Sequence, residues 1–373
     1  PKVHGNLKQD LKKIVEKVTE FWGEIPYESY TFIGHFLPNT YGGLEHLNST
    51  AVQYDPLEVG TEKGYRDFLG LLAHEYFHTW NVKRIRPVEL GPFDYDNENY
   101  TRMHWLTEGL TSFMDDLIVF NSGLSSEEYF LEVQKKKFNA YIKTPGRFFD
   151  SLEDSSFDAW IKLYRPHENS KNSTINYYLK GALVFFCLNS LFFLQGRNLK
   201  DLTELLWKRY KADPLNGVDK SEVMAMIEQL AGKKAADEFD EYLSQTGDLP
   251  LEESAKRCGL KIEWKQPEGL EWGFDWKVKG DNLFVENVIL DSPGYRCGLN
   301  HGDEILAAEG IRLNKDNHKQ WEKTLKKDEN IGLLISRFGR LLQIETTVGA
   351  KPKEVEKISI EDHSTFKKAF NLF

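Results

Sequence analysis

Apolar residues recur at helical spacing from the start of the chain: Leu7, Leu11, Ile14, Val18 and Phe21 share one face of a helix expected from Leu7 through Trp22. The pattern then changes. Tyr30 to Phe36 is rich in β-formers, and a turn containing Pro38 and Asn39 separates it from Gly42-Gly43-Leu44-Glu45-His46, which reads as a second strand. From Arg66 to Ala73 apolar positions return at helical spacing without proline, which predicts a helix running to about residue 80. A stretch rich in Gly, Pro, Asp and Asn follows as far as Asn99. Beyond it Trp105 to Phe113 is helix-compatible. The longest apolar run, Ala182 to Leu194, is broken by Asn189 and Ser190 and falls short of the roughly 20 apolar residues of a membrane span, so it reads as a buried helix. Helical patterns continue over Leu199–Tyr210 and Ser221–Leu230 until Thr246-Gly247-Asp248-Leu249-Pro250 interrupts them. Short β-rich runs come next, at Trp272–Phe274, Leu283–Val288 and Ile331–Ile335. The expected architecture is multidomain: α/β to about residue 110, all-helical over 111–250, and a β domain over 262–350 with a tail at 351–373.

Composition narrows the possibilities. With 373 residues, 40% of them hydrophobic and 13% aromatic, the chain can bury substantial cores in two or three domains. A net charge of −10 argues against a nucleic-acid surface. Three cysteines, Cys187, Cys258 and Cys297, have no C-x-x-C spacing and read as reduced packing residues. The chain begins at Pro1 without an initiator methionine, so we read it as the C-terminal part of a longer protein. That leaves the compartment open, with cytoplasm placed ahead of periplasm.

His74-Glu75-Tyr76-Phe77-His78 carries the most chemistry per residue. Residues four apart lie on one helix face, so both imidazoles can aim at a single zinc ion with Glu75 beside it. Zinc held by three protein ligands keeps a position for water, whose pKa falls to about 7, and a neighbouring carboxylate can take the proton. The expected reaction is peptide-bond hydrolysis, with Glu75 as base and one zinc per chain.

A third ligand is needed, and Trp105-Leu106-Thr107-Glu108-Gly109 offers Glu108. This segment resembles the W-x-x-E-G signature of gluzincin peptidases, in which the glutamate completes the zinc site. The stretch between His78 and Glu108 is longer than is usual in the aminopeptidase N family. It opens with the basic run Trp80 to Pro87, which reads equally well as a solvated connector or as a substrate-facing element.

Taken in order, YGGLEHLNST, HEYFHTWNVKRIRP, WLTEGLTSF and NYYLKGALVFF make the chain similar to the glycyl aminopeptidase family, gluzincin enzymes that carry a C-terminal PDZ domain. The resemblance implies a thermolysin-like catalytic unit, an upstream β-rich region absent from this chain, and removal of N-terminal residues, glycine and alanine above all. It implies roles as well. Gly42-Gly43-Leu44-Glu45-His46 resembles the G-x-M-E-N strand whose glutamate binds the substrate's free amine, so Glu45 is the matching anchor and Gly42 and Gly43 line the same strand. Tyr177-Tyr178-Leu179-Lys180-Gly181 resembles the Y-x-K-G segment whose tyrosine stabilises the oxyanion. Counting back from Lys180-Gly181 selects Tyr178, with Tyr177 as the competing assignment. Asp115, two helical turns beyond Glu108, could orient a histidine or simply be solvated.

Asp291 to Leu306 resembles the S-P-A-x-x-A-G-L-x-x-G-D-x-I-L core of PDZ domains, with Trp272-Gly273-Phe274-Asp275 at the position of the carboxylate-binding loop. Such a domain either binds peptide C-termini by strand addition or serves as a packed appendage. The reading that the motifs support is a zinc aminopeptidase acting on peptides with a free N-terminus. Its rivals are a zinc endopeptidase and a PDZ-bearing scaffold with an idle metal site.

Overall fold

The computed structural model describes residues 2–373. Helix α1 (Leu7–Trp22) begins at Asn6, whose side chain accepts from Gln9 N, and stops at Gly23 with φ 77°, a left-handed conformation that glycine adopts without strain. Its apolar stripe buries Ile14, Val18 and Phe21, as the periodicity predicts. Strands β1 (Thr31–Phe36), β2 (Tyr41–Glu45) and β3 (Ser49–Tyr54) form a sheet in the order β1-β3-β2. β1 runs parallel and β2 antiparallel to β3, so β2 is an edge strand with backbone groups free to pair with another chain.

Helix α2 (Glu62–Phe77) is capped by the Thr61 hydroxyl, which accepts from Gly64 N, and buries Phe68, Leu69, Leu71 and Leu72. It ends at Phe77 rather than near residue 80. From there the backbone tightens to three-residue bonds, Thr79 N to Tyr76 O and Trp80 N to Phe77 O, both 3.1 Å. A π-helical turn, Trp105–Gly109, then leads into α3 (Leu110–Asn121). The helical region continues through α4 (Glu127–Ile142), α5 (Leu152–Phe157), α6 (Ser170–Ser173), α7 (Tyr177–Leu194), α8 (Leu199–Ala212), α9 (Lys220–Ala231), α10 (Lys233–Ser244) and α11 (Leu251–Arg257). Among the described residues, one helical stretch, Ser170–Leu194, is long and apolar enough to cross a membrane, and 78% of its most apolar window is buried inside the protein. That is the core helix the broken apolar run predicts.

The β region is arranged differently from a simple appendage. β4 (Leu260–Lys265) is followed by β5 (Leu270–Glu271), β6 (Phe274–Lys279), β7 (Asn282–Val288), α12 (Pro293–Arg296), β8 (Glu304–Ala308), β9 (Ile311–Arg312), α13 (His318–Glu322), β10 (Asn330–Arg337), β11 (Arg340–Thr347) and β12 (Gly349–Ala350). A sheet in the order β11-β10-β8-β7-β6 closes over its own core of Trp272, Leu283, Val285, Ile305, Ile331, Leu333 and Ile335. This is the PDZ-like domain. Residues 351–373, expected as a tail, fold instead as β13 (Glu354–Ile360) and α14 (His363–Phe370). β13 pairs antiparallel with β4, and both strands contribute to the catalytic core. The physical reason is apolar burial: Phe366 packs on Phe120, and Phe370 on Phe130 and Phe186. The PDZ-like domain is therefore inserted between two strands of the catalytic unit.

A second tie joins the two parts. The Asn172 side chain on α6 donates to Val288 O (2.7 Å) and accepts from Leu290 N (2.9 Å), while Lys171 pairs with Asp275 at 3.2 Å.

Candidate active site

The elements converge on a cleft of about 480 Å³ lined by Tyr41, Gly42, Gly43, Glu45, His74, Glu75, His78, Glu108, Tyr164 and Tyr178. β2 forms one wall, α2 the floor, and the π-turn with the start of α7 the other wall.

His74 and His78 stand on the last turn and cap of α2, and each Nε2 lies 3.3 Å from Glu108 Oε2. The donor atoms of the three residues fall within 4.8 Å of one another. Their orientation is fixed from behind. His74 Nδ1 is 3.0 Å from Asp115 Oδ2, and His78 Nδ1 is 2.7 Å from Asn81 O. With Nδ1–H donated to an oxygen, the Nε2 lone pair points into the cleft, as a metal-binding imidazole requires. Burial acts to lower the His74 pKa, but Asp115 and Glu108 overcome it and lift it to about 10. Burial acts to raise that of Glu108, yet His78 and His74 hold it well below the carboxylate range. Two imidazole nitrogens, which give up their protons when a metal binds, and an ionised carboxylate meeting at one point fit zinc in donor type and number.

Glu75 points into the same space. Its side chain is buried, and Oε2 has no hydrogen-bond partner among the described residues. Burial raises its pKa, opposed by the histidines. Gly43 explains how a strand passes so close: a Cβ there would lie 2.2 Å from Glu75 Oε1. Gly42, at φ 149°, takes a conformation that side chains rarely adopt.

Glu45 lines the cleft, with Lys83 Nζ 3.5 Å from its Oε1. Lys83 belongs to the basic run after the histidines. At the far wall Tyr178 lines the cleft, its ring 6.2 Å from that of His74, whereas Tyr177 does not line it and stacks on Tyr178 at 4.7 Å and on His104 at 5.0 Å. The register chosen by counting back from Lys180-Gly181 is thus the one that faces the cleft. Asn176 sets the start of α7 by accepting from Tyr178 N (2.8 Å) and Leu179 N (3.2 Å).

The glycines of the two downstream motifs have one shared cause. A Cβ on Gly181 would sit 2.6 Å from Gly109 Cα, and one on Gly109 would sit 2.7 Å from Gly181 Cα. α7 and the π-turn touch backbone to backbone, which places Glu108 and Tyr178 on facing walls. Gly181→Ala should force them apart, costing about 1–3 kcal/mol of stability by overpacking. The expected outcome is a lowered melting temperature together with weaker zinc retention on titration with a chelator. A variant with parental melting and metal affinity would show that the contact does not position the site.

Sequence reasoning missed three residues. Tyr164, on an irregular segment, has its hydroxyl 3.3 Å from that of Tyr178 and 3.4 Å from that of Tyr177, and no motif marks it. Asn81 is fully buried and donates to Leu106 O, Thr107 O and Thr111 Oγ1, lashing the end of α2 to the π-turn. Lys83 was visible only as part of a basic run. Arg147 pairs with Asp248 at 2.6 Å and lies over Phe148, and it does not line the cleft.

The fold is that of a thermolysin-like metallopeptidase unit bearing a PDZ-like domain. Residues 67–184, which carry the histidine, glutamate and tyrosine motifs, match the family model described as M61 glycyl aminopeptidase, and the resemblance to that family is borne out. Over 99% of its length the chain superposes on the crystal structure of an aminopeptidase N family protein from Idiomarina loihiensis, with a TM-score of 0.89 and 28% identity, covering 67% of that chain. It is also 30% identical over 80 residues to PDZ domain-containing protein 11 of Homo sapiens and 29% identical over 80 residues to that of Bos taurus. These matches take in 21% of this chain and 57% of each relative, so the chain spans little more than half the length of those curated relatives.

Proposed function

We propose that the protein is a zinc-dependent aminopeptidase that removes N-terminal residues, glycine and alanine above all, from peptides with a free amine. The observation that carries this reading is that Glu45 lines the same cleft as His74, His78, Glu108 and Glu75. A carboxylate beside the metal ligands can hold a charged N-terminus and so count one residue in from it.

His74, His78 and Glu108 would hold one zinc ion. When bound, zinc supplies a Lewis acid that acidifies water and polarises the scissile carbonyl. The substrate backbone lies along the edge of β2, whose free groups can pair with it. Glu45 accepts charge-assisted hydrogen bonds from the substrate ammonium. Glu75 takes a proton from the attacking water and returns it to the leaving amine. Tyr178 donates a hydrogen bond to the oxygen that gains negative charge. In the PDZ-like domain β6 ends the sheet order and so offers an edge for a peptide C-terminus, beside α13, which it meets through Trp276 Nε1 to Glu322 Oε1 at 2.8 Å.

The test is hydrolysis of glycyl and alanyl chromogenic amides against their N-acetylated counterparts. Cleavage restricted to free amines supports the reading, and equal cleavage of both would make the protein an endopeptidase. Glu45→Ala should cost about 2 kcal/mol or more in transition-state binding, because one side of a desolvated charged hydrogen bond is lost. The loss should fall on free-amine substrates alone. An unchanged ratio of free to blocked cleavage would make Glu45 structural.

A further inference from the structure

The basic run after the histidines has one residue that reaches Glu45 in the cleft wall. Lys83 Nζ lies 3.5 Å from Glu45 Oε1, and both side chains are about four-fifths buried, at 18% and 19% exposure. This is the carboxylate assigned to the substrate's ammonium, so a cation of the protein already stands where a cation of the substrate is to bind.

The placement is held by backbone ties. Lys83 N donates to His78 O at 3.1 Å, one bond from the metal-site cap of α2. The next residue, Arg84, is buried and donates to Thr79 O (2.6 Å), Leu47 O (3.0 Å) and Pro26 O (2.8 Å). Leu47 lies in the turn just after β2, and Thr79 just after α2. One guanidinium therefore fixes the strand carrying Glu45 against the segment carrying Lys83. On the Glu45 side, Leu44 O accepts from Thr50 Oγ1 at 3.1 Å, which steadies the end of the strand. Lys83 also has a second place to rest, since its ammonium lies 5.1 Å from the centroid of the Phe93 ring, a favourable position for a cation.

We propose that Lys83 is a specificity-determining residue: its ammonium occupies one edge of the Glu45 carboxylate and sets how tightly an incoming N-terminal ammonium is held. This rests on the aminopeptidase reading and deepens it. A carboxylate has lone pairs on both oxygens, so Oε2 can accept the substrate while Lys83 keeps Oε1. The two ammonium groups then repel each other across a partly desolvated site, and the substrate must share Glu45 or shift Lys83 toward Phe93. Lys83 lowers the advantage of a charged N-terminus over a neutral one. It tunes the anchor toward weak, readily reversed binding, suited to repeated release of a small N-terminal residue.

The experiment uses the zinc-loaded protein and two neutral variants, Lys83→Met, which keeps the length, and Lys83→Gln, which also keeps a donor. Zinc content and melting curves establish that each is folded. Calorimetric titration with glycinamide and with N-acetylglycinamide reads the anchor without any turnover. Glycinamide should bind roughly tenfold tighter to both variants than to the parent, since one like charge a few ångströms away has been removed. N-acetylglycinamide should bind equally to all three, and KM for a glycyl amide should fall more than turnover changes. Unchanged or weaker glycinamide binding in the variants, with the parent still preferring it to the acetylated form, overturns the role of Lys83 and leaves the aminopeptidase reading intact. A parent that does not distinguish the two ligands overturns both.

Discussion

Glu75→Gln should leave one zinc per chain in place and lower turnover at least ~10²-fold. The two halves of this expectation have separate causes. Metal retention follows from the donor set, because the clustered ligand atoms belong to His74, His78 and Glu108, and Glu75 is not among them. Loss of turnover follows from the position of Glu75. Its Oε2 is buried without a partner among the described residues, and its Oε1 lies against Gly43, so the carboxylate borders the space between β2 and the metal ligands. Burial raises its pKa, which favours uptake of a proton, and the two histidines oppose the shift. Glutamine keeps the volume and removes the basicity. Metal analysis alongside an assay on glycyl amide checks both halves, and parental activity in the variant would remove Glu75 from the mechanism. Glu108→Ala supplies the contrast: it takes away a ligand atom, so zinc content itself should fall.

The sequence made the chemistry more legible than its supports. His74, Glu75 and His78 were readable because a helix converts a spacing of four into one face, a local rule that needs no knowledge of the rest of the fold. The same rule misplaced the end of α2. What stops the helix is tertiary: Asn81 is drawn away to bond with Leu106 O and Thr107 O on the π-turn, and His78 Nδ1 closes on Asn81 O. The π-turn itself was unreadable, since Trp105–Gly109 differs from an α-helix by one residue of bond register. Such turns often mark functional sites, and this one carries Glu108. The paired glycines Gly109 and Gly181 were legible as motif letters, but their reason is a contact between segments 72 residues apart.

The C-terminal segment shows the same limit at larger scale. Its residues Phe366 and Phe370 follow a helical spacing, whereas Val355 and Ile358, three apart, break strand alternation and are both buried because the pairing register shifts between Val355 and Lys357. Nothing local, however, shows that β13 pairs with β4 across the whole PDZ-like domain. This topology ties the domain to the catalytic unit at both ends, and Asn172 adds a third attachment just before the helix that begins at Tyr177. Removing residues after about 250 would therefore strip β4, β13 and α14 from the catalytic core, and truncation cannot isolate the contribution of the PDZ-like domain.

Tyr178→Phe is the second large effect. The substitution deletes one hydroxyl and little volume, so ground-state binding should change less than turnover, which should fall by roughly 10²–10³ if the phenol is the oxyanion donor. Burial, followed by the charge of Glu108, pushes the Tyr178 phenol well above its ordinary range, which keeps the proton on oxygen and the group a donor. Tyr177→Phe is the internal control. Tyr177 is buried, lies against His104 and does not line the cleft, so its loss should be mild. Tyr164 complicates the comparison in a useful way. Its hydroxyl lies within 3.4 Å of both, so removing either phenol leaves it one partner. A Tyr177 variant that slows turnover as much as the Tyr178 variant would mean that the three hydroxyls act as one chain. A severe Tyr177 effect with a mild Tyr178 effect would move the oxyanion donor back by one residue, to the tyrosine that does not line the cleft. Kinetics of the two variants on the same glycyl amide, with KM and turnover resolved separately, distinguish these outcomes.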